Sequence, residues 1–371
     1  MLVKTEAQTS VLNIADSLYL NGDFTKSITY YKAYDDPSEV FDKIAKAYMA
    51  IGNYDKALKH FESAIETNPD DVLTKYEFAK LLSKTKNFET ASLLFKELIT
   101  KHKDNPNYHY ELGLVLEQLK DSLAQQSFHR AFALDSTHQK AIYKIAKHHL
   151  QKRQYAKVDM LVEKGLETYP NNVELLSLKA QNLFWQQEYR KAIPWFEKLI
   201  ELGETSEFVY EKLSACHVKH FKYADALKYK LEVLKFNPDD AMTNYTIGAY
   251  YLELQDYEKA EDFLSKALLV LGRPLHNEYG KLTTALSYQK KYPEAIKAIK
   301  KAIREAPEIE WPHLRLALIL EKYYADYNAK IDAFEAFRQK FPESRMATFV
   351  DGKIKALKEE QFNRQESENP N

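Results

Sequence analysis

The sequence is poor in cysteine, glycine and proline, and each shortage excludes a class of structure. The single cysteine, Cys216, excludes a disulfide within the chain and most thiolate metal sites. With only 9 glycines and 12 prolines in 371 residues, the chain has little material for turn-rich β-structure. We therefore expect an all-α protein.

Long apolar runs and an excess of one charge are missing as well. No run approaches the roughly 20 apolar residues that span a bilayer, so we expect no transmembrane segment. Lysine plus arginine number 53 and aspartate plus glutamate 54, which gives a formal net charge of −1. This balance provides no bulk attraction to nucleic acid or to an anionic membrane, and we expect no nucleic-acid partner.

The N-terminal residues lack the apolar segment that forms the centre of a signal peptide. Thr5, Glu6 and Ala7 nevertheless place small residues where a cleavage site would have them. Two expectations about location stay open. The chain as it stands is cytoplasmic, or it belongs to the periplasm or cell envelope and an N-terminal signal is missing from the sequence.

The sequence does contain an aromatic residue that returns at a nearly fixed interval. Tyr155, Tyr189, Tyr223 and Tyr257 follow one another at steps of 34 residues. The series is extended in both directions, with small drifts, by Phe24, Tyr54, Phe88, Tyr292 and Tyr327. A small residue stands three positions after most of these aromatics, namely Ser27, Ala57, Ala91, Ala192, Ala226, Ala260 and Ala295. A period of this length indicates an array of repeats.

Each period holds two segments in which apolar residues recur at helical spacing. In residues 38–71 the first segment ends at Gly52 and the second at Pro69. Glycine tolerates a left-handed backbone and proline cannot donate the next helical hydrogen bond, so both residues stop helices. We predict that the small residues, and Gly248, lie where two helices approach most closely, and that the recurrent aromatics fill the gap to the neighbouring helix.

This pattern resembles the tetratricopeptide repeat, a helix–turn–helix unit with an aromatic and then an alanine early in its second helix. The segment 250–260, YYLELQDYEKA, is a close match, and repeats 207–240 and 241–274 fit best. The resemblance implies an all-α fold, an α-solenoid superhelix of about ten such repeats. Stacking is obligatory, because one repeat cannot bury both of its faces.

The resemblance also sets expected boundaries. The repeat array is expected to cover residues 8–343 after an N-terminal extension at 1–7. An amphipathic helix at 344–360 is expected to cap the last repeat, which would otherwise expose an apolar face. The polar tail at 361–371 is expected to be disordered.

Residues that could carry catalysis or bind a metal have structural explanations in the repeat frame. Cys216, His217 and His220 come close to ligand spacing on a first helix, but His217 falls on an interior packing position. The acidic pairs at 70–71 and 239–240 lie in turns before the next helix, where carboxylates favour the positive helix end. We therefore predict a protein that is not an enzyme and has no metal and no cofactor.

In tetratricopeptide proteins the concave groove lined by the first helix of each repeat is the usual peptide-binding surface. The fifth and ninth residues of a repeat share one face of that helix. These positions, with one tryptophan late in a first helix, supply the candidate groove residues Lys46, Tyr76, Lys80, Tyr110, Tyr143, Lys147, Trp185 and Tyr245. Aromatic rings offer large contact area at low entropic cost, and lysines attract carboxylates, so a protein or peptide partner of acidic character is expected. The alternative is that tyrosine recurs here for packing alone.

The favoured interpretation is a non-catalytic scaffold that binds a peptide segment or partner protein in its concave groove. A cell-envelope assembly component is an alternative, and a helical-repeat RNA-binding protein is a further one, which the near-neutral charge disfavours. The carboxylate clamp of chaperone-binding members requires lysine and asparagine four residues apart. The corresponding pairs here are Asp42/Lys46, Tyr76/Lys80 and Tyr143/Lys147, so that clamp is not expected.

Overall fold

The computed structural model describes residues 2–270 and 275–368, and these ranges contain α-helices, short turns and no strand. Twenty of the described helices follow one another as ten pairs, and a final helix comes after them. The prediction of an all-α array of helix–turn–helix repeats is confirmed. None of the helices in these ranges is both long and apolar enough to cross a bilayer.

The first five pairs are α1 (Leu2–Leu20) with α2 (Phe24–Lys32), α3 (Phe41–Ala50) with α4 (Tyr54–Thr67), α5 (Val72–Lys84) with α6 (Phe88–Lys101), α7 (Pro106–Gln118) with α8 (Ala124–Leu134), and α9 (Gln139–Gln151) with α10 (Tyr155–Thr168). The next five are α11 (Val173–Trp185) with α12 (Tyr189–Glu201), α13 (Glu207–Val218) with α14 (Tyr223–Leu234), α15 (Ala241–Glu253) with α16 (Tyr257–Val270), α17 (His276–Tyr288) with α18 (Tyr292–Glu305), and α19 (Glu310–Tyr323) with α20 (Tyr327–Lys340). The last helix is α21 (Ala347–Glu368), and a short 3₁₀ turn at Pro37–Glu39 precedes α3. We call the first, odd-numbered helix of each pair its A helix and the second its B helix.

The chain divides into two compact blocks, an N-terminal block at Met1–Asn182 and a C-terminal block at Leu183–Asn371. Within the N-terminal block, one apolar core extends through the successive helix pairs from Ala15 to Leu178. Within the C-terminal block, apolar clusters lie between α16 and α17, between α18 and α19, and between α20 and α21. Within each block, the repeats therefore bury their faces against their sequence neighbours, as expected of stacked repeats.

The small residue near the start of the B helix is fully buried in every repeat where the sequence predicts it. Ser27, Ala57, Ala91, Ala192, Ala226, Ala260 and Ala295 have no exposed surface. At Gly248, on the facing A helix, an added Cβ would lie 2.7 Å from the side chain of Leu264. The A and B helices of a pair thus approach so closely that a larger side chain would clash, as predicted.

The aromatics that open the B helices are only partly buried, which refines their predicted role. The rings with no exposed surface belong to a second series, seven residues further along: Phe61, Phe95, Phe128, Phe196 and Phe334. The opening aromatic stands in the first turn of its helix, next to the solvent-facing turn between helices, whereas the later ring is enclosed two turns deeper. In α14 the corresponding residue is Lys230, which is buried and forms an ion pair with Glu211 of α13.

The turn from A helix to B helix repeats the same backbone conformation. Nine of the described turns contain one residue with positive φ: Gly22, Gly52, Lys86, Lys120, Arg153, Gln187, Phe221, Gln255 and Lys290. The N–H of the following residue donates to the carbonyl five residues earlier, as from Asn87 to Leu82 at 2.8 Å. This is the Schellman geometry, which satisfies carbonyls left free at the end of the A helix. The last pair lacks it where the sequence has an extra residue, and Tyr324 there is extended.

The structure differs from the predicted boundaries at both ends of the array. Helix α1 covers most of the predicted extension at 1–7, and α21 continues through 361–368 instead of ending near residue 360. Neither segment contains glycine or proline, the residues that would stop a helix there. Residues 369–371 of the predicted tail lie outside the described residues.

Glycine at a left-handed turn position should stabilise the fold. Lys86 has φ of 65°, a conformation that is costly for a residue with a Cβ atom. We expect Lys86→Gly to raise the free energy of unfolding by about 0.5–1 kcal/mol, and Gly52→Ala, at φ of 76°, to lower it by about 1 kcal/mol. Urea denaturation followed by circular dichroism measures both. Equal stability of the two variants and the unmodified chain would contradict the role assigned to these turns.

Candidate functional site

The A helices of the N-terminal block carry six of the eight candidate groove residues. Lys46 lies on α3, Tyr76 and Lys80 on α5, Tyr110 on α7, and Tyr143 and Lys147 on α9. We call these six residues the Tyr/Lys face. Each of these A helices packs against the B helix of its own pair, and the six residues stand at the fifth or ninth position of their repeats.

Tyr76 and Lys80 form a pair on α5. The Lys80 ammonium lies 5.2 Å from the ring centroid of Tyr76, within the range of a cation–π contact. The ring also packs edge-on against Phe95 and at a tilt against Tyr108, at centroid distances of 6.2 and 5.3 Å. Burial and the nearby carboxylate of Glu111 raise the pKa of Tyr76 to about 12. Its hydroxyl therefore remains a hydrogen-bond donor at neutral pH.

Tyr143 and Lys147 repeat this arrangement on α9. The ammonium lies 5.4 Å from the ring centroid and donates to the Tyr143 hydroxyl at 3.4 Å. Tyr143 is partly buried against the core, and Lys147 is exposed. Within the described residues, no carboxylate forms an ion pair with Lys147. This lysine is therefore a cation that an external carboxylate can reach.

The structure differs from the prediction at Tyr110, and it qualifies the prediction at Lys46. Tyr110 is 9% exposed, and its ring contacts Phe128 and His138 at 5.8 and 5.1 Å, so it belongs to the core. His138 caps the start of α9 and closes over the ring from the next repeat. Lys46 contacts the carboxylate of Asp42 on its own helix at 2.9 Å, which neutralises its charge locally.

Sequence reasoning missed Glu111, which lies beside Tyr110 on α7. Burial raises the pKa of its carboxyl, while Lys80 and Lys140 act in the opposite direction. Glu111 therefore places a partly buried acid between lysines from two neighbouring A helices. The Tyr/Lys face consequently has mixed charge around Lys80 and is basic only around Lys147.

Trp185 and Tyr245, the two candidates in the C-terminal block, each meet a lysine from the next A helix. Trp185 is 52% exposed, and the ammonium of Lys212 on α13 lies 5.1 Å from its ring centroid. Tyr245 packs partly against the core, and the ammonium of Lys281 on α17 lies 4.8 Å from its ring. The sequence did not identify Lys212 or Lys281, because their partners lie one repeat away.

The cluster around Cys216 is part of the core. His217 is buried and stacks on Tyr229 at a centroid distance of 5.6 Å, which confirms its predicted interior position. Among the described residues, neither ring nitrogen of His217 has a hydrogen-bond partner, and burial lowers the pKa of this histidine. In the part of the chain that the structure describes, no three histidine, cysteine or acidic side chains are grouped so that they could hold a metal ion.

Comparisons with known proteins agree with the repeat architecture. Family models described as tetratricopeptide repeat match residues 48–112 and 243–270. The chain is 23% identical over 267 residues to Superkiller protein 3 of Schizosaccharomyces pombe, a match covering 65% of this chain and 18% of that protein. It is 40% identical over 86 residues to Heat shock protein STI1 of Saccharomyces cerevisiae, covering 23% of this chain and 15% of that protein. The matches thus span less than a fifth of either relative.

A solved structure shares the fold. It is the C-terminal part of a TPR repeat-containing protein from Cytophaga hutchinsonii, with a TM-score of 0.52 and 18% sequence identity. The match covers 62% of this chain and 97% of that chain.

The thiol of Cys216 should be unreactive in the folded protein. It has no exposed surface, and burial raises its pKa to about 12, so almost no thiolate forms near pH 8. We expect Ellman's reagent to label less than one thiol in ten in the time that labels the urea-unfolded chain fully. Reaction of the native thiol at the rate of the unfolded one would contradict its placement in the core.

Proposed function

Because the chain is a tetratricopeptide repeat protein, we propose that it is a non-catalytic interaction scaffold whose A helices bind a peptide segment of a partner protein. In the N-terminal block the proposed binding surface is the groove lined by the Tyr/Lys face, in which Tyr110 supports the surface from the core. The partner segment is proposed to carry acidic side chains.

The observation that carries this proposal is the recurrent contact of a lysine with an aromatic ring on the A helices. Tyr76/Lys80 and Tyr143/Lys147 stand at equivalent repeat positions, with ammonium-to-centroid distances of 5.2 and 5.4 Å. Each ring is fixed by packing against the core, so it offers contact area without losing much entropy on binding. Each lysine is exposed beside its ring, so it adds a positive charge to the apolar contact surface that the ring provides.

Acidic character of the partner is supported most strongly at α9. Lys147 is exposed, its amine contacts the Tyr143 ring and hydroxyl, and it forms no ion pair within the described residues. Lys80 is partly balanced by Glu77, whose carboxylate lies 3.8 Å from its amine. An acidic segment would therefore gain most from Lys147, and less from Lys80.

Reversal of two charges on the Tyr/Lys face tests this proposal. We expect Lys80→Glu with Lys147→Glu to weaken binding of partner proteins roughly 5- to 30-fold, because each exposed charge pair contributes up to about 1 kcal/mol. The partners are those recovered from an extract of the source organism on the immobilised chain, quantified by mass spectrometry.

The matched control is Lys59→Glu with Lys96→Glu, which makes the same charge change at exposed lysines on the B helices α4 and α6. It should leave partner recovery unchanged. Equal losses for both double variants, or none for the first, would contradict binding on the Tyr/Lys face.

A further inference from the structure

A cavity of about 380 Å³ lies between α17 and α19 in the C-terminal block. Its walls include Tyr288, Trp311, Leu314, Arg315, Leu318 and Lys322. Its volume is within the roughly 300–1,000 Å³ typical of ligand sites. Leu314 and Leu318 are the fifth and ninth residues of the repeat 310–343, the positions that carry the Tyr/Lys face in the N-terminal block.

The notable group in this cavity is the guanidinium of Arg315. Within the described residues it has no ion pair and no hydrogen bond, although burial is strong enough to lower its pKa. Among the other cations that are at least partly buried in this block, Lys230 pairs with Glu211 and Lys353 with Glu321, whereas Lys212 and Lys281 contact aromatic rings. Arg315 is partly buried and lines the cavity without an acidic partner among the described residues, so its guanidinium is available to an anion from outside the chain.

Two aromatic walls of the cavity are held in place before any ligand arrives. Tyr288 stacks face to face on Tyr257, with centroids 4.5 Å apart and planes at 4°. The indole of Trp311 lies against Gly280, where an added Cβ would be 2.0 Å from the ring. A ligand side chain entering between these rings therefore meets rigid surfaces, which lowers the entropic cost of binding.

Lys322 supplies a second positive charge at the same cavity. It is exposed, has no ion pair within the described residues, and lies seven residues after Arg315 on α19. Seven residues of helix span roughly 10 Å, a distance that an extended peptide covers in about three residues. Two carboxylates three positions apart on an extended segment would therefore match the two cations.

We propose that this cavity binds an extended peptide segment of a partner protein through carboxylate and apolar contacts. One carboxylate accepts two parallel hydrogen bonds from the guanidinium of Arg315, the geometry that arginine favours. A second, three residues away, lies near Lys322, and an aromatic or aliphatic side chain between them packs on Tyr288 and Trp311. This inference rests on the proposed scaffold function and specifies the ligand chemistry of one site in the C-terminal block.

The experiment begins with selection of a random 12-residue peptide library on the purified full chain. Selected peptides are synthesised with a fluorescent label, and their affinities are measured by fluorescence anisotropy. We expect enrichment of two acidic residues three positions apart with an aromatic or aliphatic residue between them. The same peptides with glutamine in place of the acids should bind more weakly.

Arg315→Met removes the charge at similar volume. We expect it to weaken the selected peptides roughly ten- to a hundredfold, while the melting temperature stays the same or rises, because methionine has no charge to desolvate. The matched control is Arg304→Met, which removes an exposed arginine from the B helix α18 and should leave affinity unchanged. Gly280→Ala, which displaces the indole of Trp311, should weaken binding without changing the net charge.

Each other outcome has a defined meaning. If the selected peptides bind Arg315→Met as tightly as the unmodified chain, the cavity proposal is overturned while the scaffold function stands. If no peptide is enriched, the cavity proposal is overturned, and the scaffold function is decided separately by the recovery of partner proteins on the immobilised chain. If only phosphoserine forms of the peptides depend on Arg315, the carboxylate assignment is overturned in favour of phosphate. If Arg315→Met abolishes self-association in sedimentation velocity without affecting the peptides, the occupant is a second copy of this chain and the peptide proposal is overturned.

Discussion

The close approach of the two helices in each pair is the constraint on which the rest of the structure depends. It requires a residue no larger than alanine or serine at one point of the B helix, and Ala57, Ala91 and Ala226 show no exposed surface there. Once the helices are this close, the phenylalanine one turn further along, such as Phe61, is enclosed on all sides. Residues can then differ between repeats without loss of packing at exposed positions, which include Lys80 and Lys147 on the A helices.

The recurrence of an aromatic about every 34 residues predicted the number of repeats, and residue positions within that repeat frame predicted the buried small residues and the interior position of His217. The turns were predicted only in part. Gly22 and Gly52 indicate left-handed turn positions in the sequence, because glycine favours positive φ. Lys86 and Arg153 adopt the same backbone conformation, but their residue types do not indicate it. Their conformation is imposed by the hydrogen bonds of the turn and by packing of the following helix, which a local preference does not reveal.

Side-chain contacts of the candidate site were predictable where both side chains lie on one helix. They were not predictable where the two side chains come from different repeats. The pairs Tyr76/Lys80 and Tyr143/Lys147 follow from i, i+4 spacing. Lys212 and Arg315 escaped notice because the rings around the first and the burial of the second are tertiary properties. Tyr110 lies in the core instead of lining the groove for a related reason, because its burial depends on His138 in the next repeat. Residue spacing in the sequence thus identifies the helices that carry the candidate binding residues. Tertiary packing decides which of those side chains remain exposed for binding.

The central claim is that the A helices bind partners while the B helices maintain the packed frame. Covalent footprinting of lysines, with a limiting amount of an acetylating reagent and mass spectrometry, tests it on the unmodified chain with and without the partner proteins that the immobilised chain recovers. We expect partners to lower the labelling of Lys80, Lys147 and Lys322 on A helices and to leave Lys59, Lys96 and Lys300 on B helices unchanged. Protection of the B-helix lysines, or equal protection of both sets, would contradict the claim.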